Sequence, residues 1–185
     1  MTEKLDRRKK YTRMVLKDSL IALLKSKPLS AITVKEICNH ADINRSTFYT
    51  HYKDHYDLLN RIEEEIIADM NTYLNAHNFA QKEKAMQTTI KLLEYIKSKH
   101  EICYTLLIEN KDTSFEERVM EVARSFLIDN WTVEFEGDSA DSAYISTFII
   151  SGSIHVIKHW LSRDMDRTPQ QIADIINTVC YKGIE

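Results

Sequence analysis

Apolar residues recur at helical spacing along most of the chain, separated by short polar breaks. The first run predicts a helix from about Asp6 to Lys25, and a longer one predicts a helix from Asp54 to about Asn75. Further runs predict helices near 81–99, 101–109, 113–131, 139–163 and 168–182. Because these helices account for most of the chain, we expect an all-α fold.

The segment between the first two long helices, "ITVKEICNHADINRSTFYTHYKD", predicts two short helices joined by a sharp turn. Thr33 and Glu36 have the spacing of a capping box, which marks the start of the first. Asp42 tolerates the left-handed conformation that a tight turn needs, and Asn44 is a good N-cap for the second. The segment therefore has the layout of a helix-turn-helix.

The second short helix has two different sides. Its helical spacing places Phe48 and Tyr52 together on one side, as an aromatic anchor. The opposite side carries Arg45, Ser46, Tyr49 and Thr50. Arginine can pair with guanine and hydroxyls can bond either donors or acceptors in the major groove of DNA, so this side is typical of a recognition helix. The alternative is an ordinary solvated helix face.

Composition supports a helical, intracellular protein. Only 3 Gly and 2 Pro leave few residues for the turns of sandwiches and barrels, and the 3 cysteines fit neither a disulfide framework nor a CxxC pair. The first residues, "MTEKLDRRKK", are not followed by an apolar core, so we expect no signal peptide. The apolar stretch "TFIISGSIHVIKHWL" is shorter than a membrane span and predicts a buried helix. We expect a cytoplasmic protein without a membrane partner.

Charge is divided unevenly along the chain. Residues 1–60 hold 12 Lys and Arg against 7 Asp and Glu, whereas the remainder holds 13 against 21, for a net charge of −3. A basic N-terminal part on an acidic body indicates a nucleic-acid partner at one end and a different partner at the other.

These residues resemble a known family. The segment "ITVKEICNHADINRSTFYTHYKDHYDLL", preceded by a helix, is similar to the DNA-binding domain of tetracycline repressor-like (TetR) regulators over about residues 10–60. A weaker likeness links "FIISGSIHVIKHWLSRDMDRTPQQIADII" to the last two helices of the family branch with a C-terminal Trp and Pro in the dimerisation region. The resemblance implies an N-terminal three-helix DNA-binding domain at residues 1–53 and a helical effector-binding and dimerisation domain at 54–185.

The resemblance also implies roles for individual side chains in binding double-stranded DNA. It makes Thr33 a phosphate contact and matches Arg45, Ser46 and Tyr49 to positions that meet bases or neighbouring phosphates. The positions that contact the DNA backbone are Thr50, His51 and Lys53.

The chain also departs from the family pattern. Asp42 and Ser46 stand where many members have glycine. His55 stands where a phosphate-binding lysine is common, and we do not assign it a DNA contact.

The last two predicted helices are apolar over more than one face, in a stripe that begins at Tyr144 and Phe148. Some of this surface is expected to meet a second chain, and the resemblance implies a homodimer through a four-helix bundle. A two-fold dimer also suits a palindromic operator. The predicted interface residues are Ile154, Ile157, Leu161, Ile172 and Ile176. The alternative is a monomer core that buries the whole stripe.

The middle helices supply the candidate effector site. The resemblance places the family's ligand pocket there, and the predicted lining is Tyr95, Tyr104, Phe126 and Trp131. These side chains favour an apolar or aromatic small molecule, whose identity the sequence does not indicate. The alternative is that the same residues form ordinary core.

Catalytic and cofactor motifs are missing from the sequence: it has no GxGxxG, Walker A, GxSxG or HExxH pattern. His155 and His159 lie one helical turn apart and could ligate a metal together with His100 or Cys103, but histidines so placed more often pack in an interface or bond a carbonyl. We therefore expect no cofactor and no bound metal.

The expected function is that of a dimeric, ligand-responsive transcription regulator, acting as a repressor. One alternative is a TetR-like DNA-binding protein that has a protein partner or a role outside transcription. A more remote one is a helical enzyme or metal-binding protein.

Overall fold

A computed structural model describes the backbone of residues 2–75, 82–110, 114–130 and 139–182, and the side chains within these ranges except at 2–5, 75, 82–85, 126–130, 139–142 and 180–182. The fold is all-α, as the apolar pattern predicts, and no strand occurs in these ranges. The chain clusters into two compact units.

The first unit comprises the described residues of 1–66 together with Glu109 and Asn110. Its helices are α1 (Thr2–Leu24), a short 3-10 turn (Leu29–Ala31), α2 (Val34–Ala41), α3 (Arg45–Tyr49) and the first half of α4 (His55–Asn75). The predicted division after residue 53 falls just before α4, and the first unit continues along that helix to residue 66.

A continuous apolar core holds the first unit together. Helix α1 packs on α2, and α2 packs on α3. An ion pair between Lys17 and Glu65 also ties α1 to α4. Each large side chain withdrawn from water contributes roughly 1.5–3 kcal/mol, so this core fixes the position of the two short helices. Its buried members include Leu16, Leu20, Ile21, Leu24, Ile32, Ile37, Phe48, Leu58, Leu59 and Ile62.

The second unit comprises the described residues of 67–108 and 113–185. It contains the second half of α4, α5 (Lys82–Ser98), α6 (His100–Tyr104), all but the last residue of a π-helical turn (Thr105–Glu109), α7 (Ser114–Asn130), α8 (Ser139–Ser162) and α9 (Pro169–Lys182). Within it α9 packs against both α5 and α8, and α8 also packs against α7 and α6.

The sequence pattern predicts one helix over 101–109, but the structure changes its winding at Thr105. The π-helical turn that follows is wider than an α-helical one. Thr105, Leu106 and Leu107 are all buried in succession within it. The apolar pattern of the sequence does not distinguish this turn from a continued α-helix.

A tight turn connects α8 to α9. Asp164 and Met165 adopt the left-handed conformation, with φ of 51° and 56°, which costs free energy for residues other than glycine. The turn is held by the buried Trp160, whose Nε1 donates to the Arg167 carbonyl at 2.8 Å. This bond satisfies the polar end of a large core side chain and aligns the last two helices.

Candidate nucleic-acid interface

Helix α2 begins with the capping box that the sequence predicts. The Glu36 amide donates to Thr33 Oγ1 at 3.3 Å, while the Thr33 amide and hydroxyl both donate to Glu36 Oε2 at 2.9 Å. Lys27 Nζ donates to the other carboxylate oxygen at 2.5 Å. The bonds from Lys27 and then Thr33 lower the pKa of Glu36 to about 2, so the carboxylate is ionised at neutral pH.

The turn between α2 and α3 is also as predicted. Asp42 ends α2 in the left-handed conformation, with φ of 52°, and the Ile43 amide donates to the Cys38 carbonyl at 2.9 Å. Asn44 then caps α3, since its Oδ1 accepts from the Ser46 amide at 3.1 Å. These local bonds set the direction in which α3 leaves the turn.

An aromatic anchor fixes the rotation of α3 about its axis. Phe48 is fully buried, and its ring centroid lies 5.7 Å from that of Tyr52 and 5.5 Å from that of Tyr49. Tyr52 is buried as well, whereas Tyr49 is 51% exposed. The side predicted to be a recognition face is therefore turned to solvent, with its four residues Arg45, Ser46, Tyr49 and Thr50 all exposed.

Some polar groups on this face already donate hydrogen bonds within the protein, whereas others do not. Ser46 Oγ donates to Asn44 Oδ1 at 3.1 Å, and Thr50 Oγ1 donates to the Thr47 carbonyl at 2.7 Å. Within the described parts of the chain, nothing accepts a hydrogen bond from the Arg45 guanidinium or the Tyr49 hydroxyl. Arg45 and Tyr49 can therefore donate to a ligand at once.

Basic side chains lie in the loop that follows α3 and on α1. The Lys53 side chain is exposed, and its amide donates to Asp57 Oδ2 at 3.0 Å where α4 begins. Partial burial lowers the pKa of His51, and the positive charges of Arg13 and Lys9 on α1 lower it further. Lys9 and Arg13 are not among the predicted DNA-contacting residues, although the basic N-terminal run to which they belong is visible in the sequence.

His55, the histidine left out of the predicted DNA contacts, is partly buried at the start of α4. Its ring centroid lies 4.3 Å from that of Tyr56. Its Nε2 is buried and has no hydrogen-bond partner among the described residues. That nitrogen is therefore withdrawn from solvent.

The structure places two of the four predicted effector-pocket residues. Tyr95 is buried, its hydroxyl donates to Asp69 Oδ2 at 2.9 Å, and burial followed by this bond raises the pKa of Tyr95. Tyr104 is half-buried. The side chain of Phe126 and the whole of Trp131 lie outside the described residues.

The predicted interface residues occupy two different environments. Ile154, Leu161 and Ile172 are buried inside the second unit of a single chain and have little surface left for a partner. Ile157 and Ile176 are half-buried. The large apolar side chains that α8 and α9 do expose are Tyr144 (79%), Phe148 (72%), Ile175 (48%) and Val179 (53%).

Of the histidines considered as metal ligands, His155 makes a different contact. His155 Nδ1 donates to the Ser151 carbonyl at 2.8 Å. In the described ranges no three metal-binding side chains come together. None of the helices in those ranges is long and apolar enough to span a membrane.

Two family models match most of the chain. The model for bacterial regulatory proteins of the tetR family matches residues 18–62, which include α2 and α3. The model for a transcriptional regulator C-terminal region of the same family matches residues 83–182.

Individual proteins show the same likeness. The chain is 36% identical over 55 residues to the uncharacterized HTH-type transcriptional regulator YxbF of Bacillus subtilis (strain 168), a match that covers 30% of this chain but only 13% of YxbF. Among solved structures, a TetR transcriptional regulator from Streptococcus agalactiae 2603V is 21% identical with a TM-score of 0.68, over 97% of this chain and 98% of that one. FadR from Bacillus subtilis in complex with stearoyl-CoA is 16% identical with a TM-score of 0.67, over 93% and 99% of the two chains. The chain belongs to the TetR family of transcriptional regulators.

Proposed function

We propose that the protein binds a palindromic DNA operator as a homodimer and acts in the cytoplasm as a repressor of transcription. The observation that carries this proposal is the exposed face of α3, held outward by the burial of Phe48 and Tyr52. Residues 1–53 act as the DNA-binding domain, and residues 54–185 act in effector binding and dimerisation. Selection of bound fragments from the whole genome tests the proposal, which expects one palindromic motif and fails if no sequence is enriched.

The seven predicted DNA-contacting residues take different roles. Arg45, Ser46 and Tyr49 face the bases, while His51 and Lys53 bring donors to the phosphates. The remaining two candidates for contacts to the DNA backbone are Thr33 and Thr50. The amide and the hydroxyl of Thr33 both donate to Glu36 in the free protein, so a phosphate contact at Thr33 competes with the capping box.

Mutations can distinguish the residues that read bases from those that bind the DNA backbone. Arg45→Ala is expected to cost roughly 1–3 kcal/mol on the preferred operator and to relax the preference at one base pair, because a bidentate arginine discriminates among bases. Lys53→Ala is expected to lower the affinity for all DNA sequences about equally. It is also expected to reduce the slope of log affinity against log salt concentration by about 0.9 for each phosphate that the lysine neutralises. Titrations of operator variants at several salt concentrations measure both effects. If both variants lower the affinity for every sequence by the same factor, the assignment of Arg45 to bases and Lys53 to phosphates is wrong.

Operator affinity is expected to rise as the pH falls through the neutral range. His51 is mainly neutral in the free protein at pH 7, because its pKa is lowered, whereas a phosphate beside it favours the charged ring. Binding then takes up a proton, so the gain in affinity is complete below the pKa of the free protein. It is lost as the pH rises through the higher pKa of the complex.

The slope is expected to reach at most about one logarithmic unit of affinity per pH unit for each subunit. His51→Gln removes this dependence, while His159→Gln, an exposed histidine of the second unit, keeps it. Equal slopes for the wild type and His51→Gln rule out a phosphate contact at His51.

The exposed apolar side chains of α8 and α9 support the homodimer. Phe148 and Tyr144 lie one helical turn apart, and a Cβ added at Gly152, a further turn along, meets no atom within 4 Å. Such a face is costly to leave in water. A second copy of the same face can cover it, whereas Ile157, nine residues after Phe148, lies on the opposite side of α8.

Control by a small-molecule effector is the further part of the proposal. An effector relieves repression only if it binds better to a form in which the two recognition helices are wrongly spaced. The FadR structure holds stearoyl-CoA, which supports an apolar ligand for this fold. A protein partner is the second candidate. It is favoured because Tyr95, one of the predicted pocket residues, is buried and its hydroxyl already bonds Asp69, so this side chain is not available to a small molecule. A ligand screen by thermal shift and operator affinity separates the two.

A further inference from the structure

The recognition face carries two parallel rows of side chains with opposite hydrogen-bonding character. Arg45 and Tyr49 lie one helical turn apart, and both can donate. Ser46 and Thr50 form the neighbouring row, also one turn apart. A hydroxyl has one hydrogen and two lone pairs, so what it can offer to DNA depends on where that hydrogen already points.

The hydrogen of each hydroxyl in the second row is already committed. Ser46 Oγ donates to Asn44 Oδ1, the same oxygen that caps α3 by accepting from the Ser46 amide. Thr50 Oγ1 donates to the Thr47 carbonyl at 2.7 Å, a short bond within the helix. Both hydroxyls therefore present only lone pairs to the outside, and phosphate oxygens, which only accept, cannot bond them without breaking these contacts.

We infer that Ser46 is a specificity-determining acceptor, which selects a base with an amino group in the major groove. This inference rests on the proposed function, because it requires that α3 enters that groove. Cytosine presents its N4 amino group there and adenine its N6 amino group, whereas guanine and thymine present acceptors. A lone pair of Ser46 opposite guanine O6 or thymine O4 is unfavourable.

The neighbouring row sharpens the expected pattern. Arg45 donates to a base with two acceptors, which is guanine. A donating row next to an accepting row matches a G·C pair, whose two bases present acceptors and an amino group side by side in the groove. The half-site is therefore expected to place cytosine or adenine at the base that faces Ser46, next to the base read by Arg45.

Removing single amino groups from the DNA tests this inference with the wild-type protein. In the selected operator, each cytosine of the half-site is replaced in turn by 2-pyrimidinone, and each adenine by purine, which lack only the amino group. At one position the wild type is expected to lose about threefold to tenfold in affinity, the range for one hydrogen bond. For the Ser46→Ala variant, removing the same amino group is expected to cause no loss of affinity, because this variant already lacks the hydroxyl that accepts from the amino group.

Ser162→Ala is the matched control, since it removes an exposed hydroxyl from α8 in the other unit and is expected to behave as the wild type. The inference is overturned if no position shows a loss that Ser46→Ala suppresses, or if Ser46→Ala alters the preference for guanine or thymine instead. An absence of any selected sequence is a different result, which counts against the proposed function itself.

Discussion

Replacing Phe148 by glutamate is expected to produce monomers and to weaken operator binding about 100-fold or more. The side chain is 72% exposed in the single chain, so the substitution leaves its core intact. In a two-fold interface the new carboxylate appears on both copies, and burying two unpaired charges costs more than an apolar contact gains. A palindromic operator needs two recognition helices about 34 Å apart, which a monomer cannot supply.

Sedimentation and operator titration measure the two effects of Phe148→Glu together. Ser125→Glu, an exposed position on α7, is the matched control and is expected to remain dimeric with full affinity. The monomer is expected to keep weak, salt-sensitive binding to any DNA, because its α2 and α3 remain folded. An unchanged dimer would show that this face is not the interface.

Replacing Phe48 by alanine is expected to destabilise the first unit by about 3–5 kcal/mol, the range for a buried phenylalanine. A whole domain is stable by only about 5–15 kcal/mol, so the loss is a large part of the total. The Phe48 ring is fully buried and contacts Tyr52, which makes it the anchor of α3. Operator binding is expected to disappear, while the dimer persists because α8 and α9 belong to the other unit.

Chemical denaturation, followed together with sedimentation, checks the Phe48 prediction. Tyr11→Ala provides the control, since this aromatic side chain of the same unit is 60% exposed and its removal is expected to cost little. Phe48→Leu is expected to recover part of the stability by refilling the space. Full stability of Phe48→Ala would contradict the role of the ring as an anchor.

The agreement between sequence and structure is closest where bonds join residues that are near in the chain. The capping box of Thr33 and Glu36, the left-handed Asp42 and the Asn44 cap were all predictable, because each depends on partners within a few positions. The anchored side of α3 was predictable for a similar reason, since Tyr52 lies just beyond the end of α3 and its amide donates to the Phe48 carbonyl at 3.0 Å, as a residue four positions along a helix would. The helix-turn-helix therefore needed little tertiary information.

The tertiary structure decided what depends on residues far apart in the chain. The sequence determined that α8 and α9 are apolar, but only their packing within the second unit shows that Ile154 and Leu161 are interior and that Phe148 is exposed. Likewise, helical spacing could not place Arg13 of α1 near His51, because that proximity arises from the way the helices of the first unit pack. Periodicity determines which residues share a helix face, whereas the partner that covers each face depends on the arrangement of whole helices.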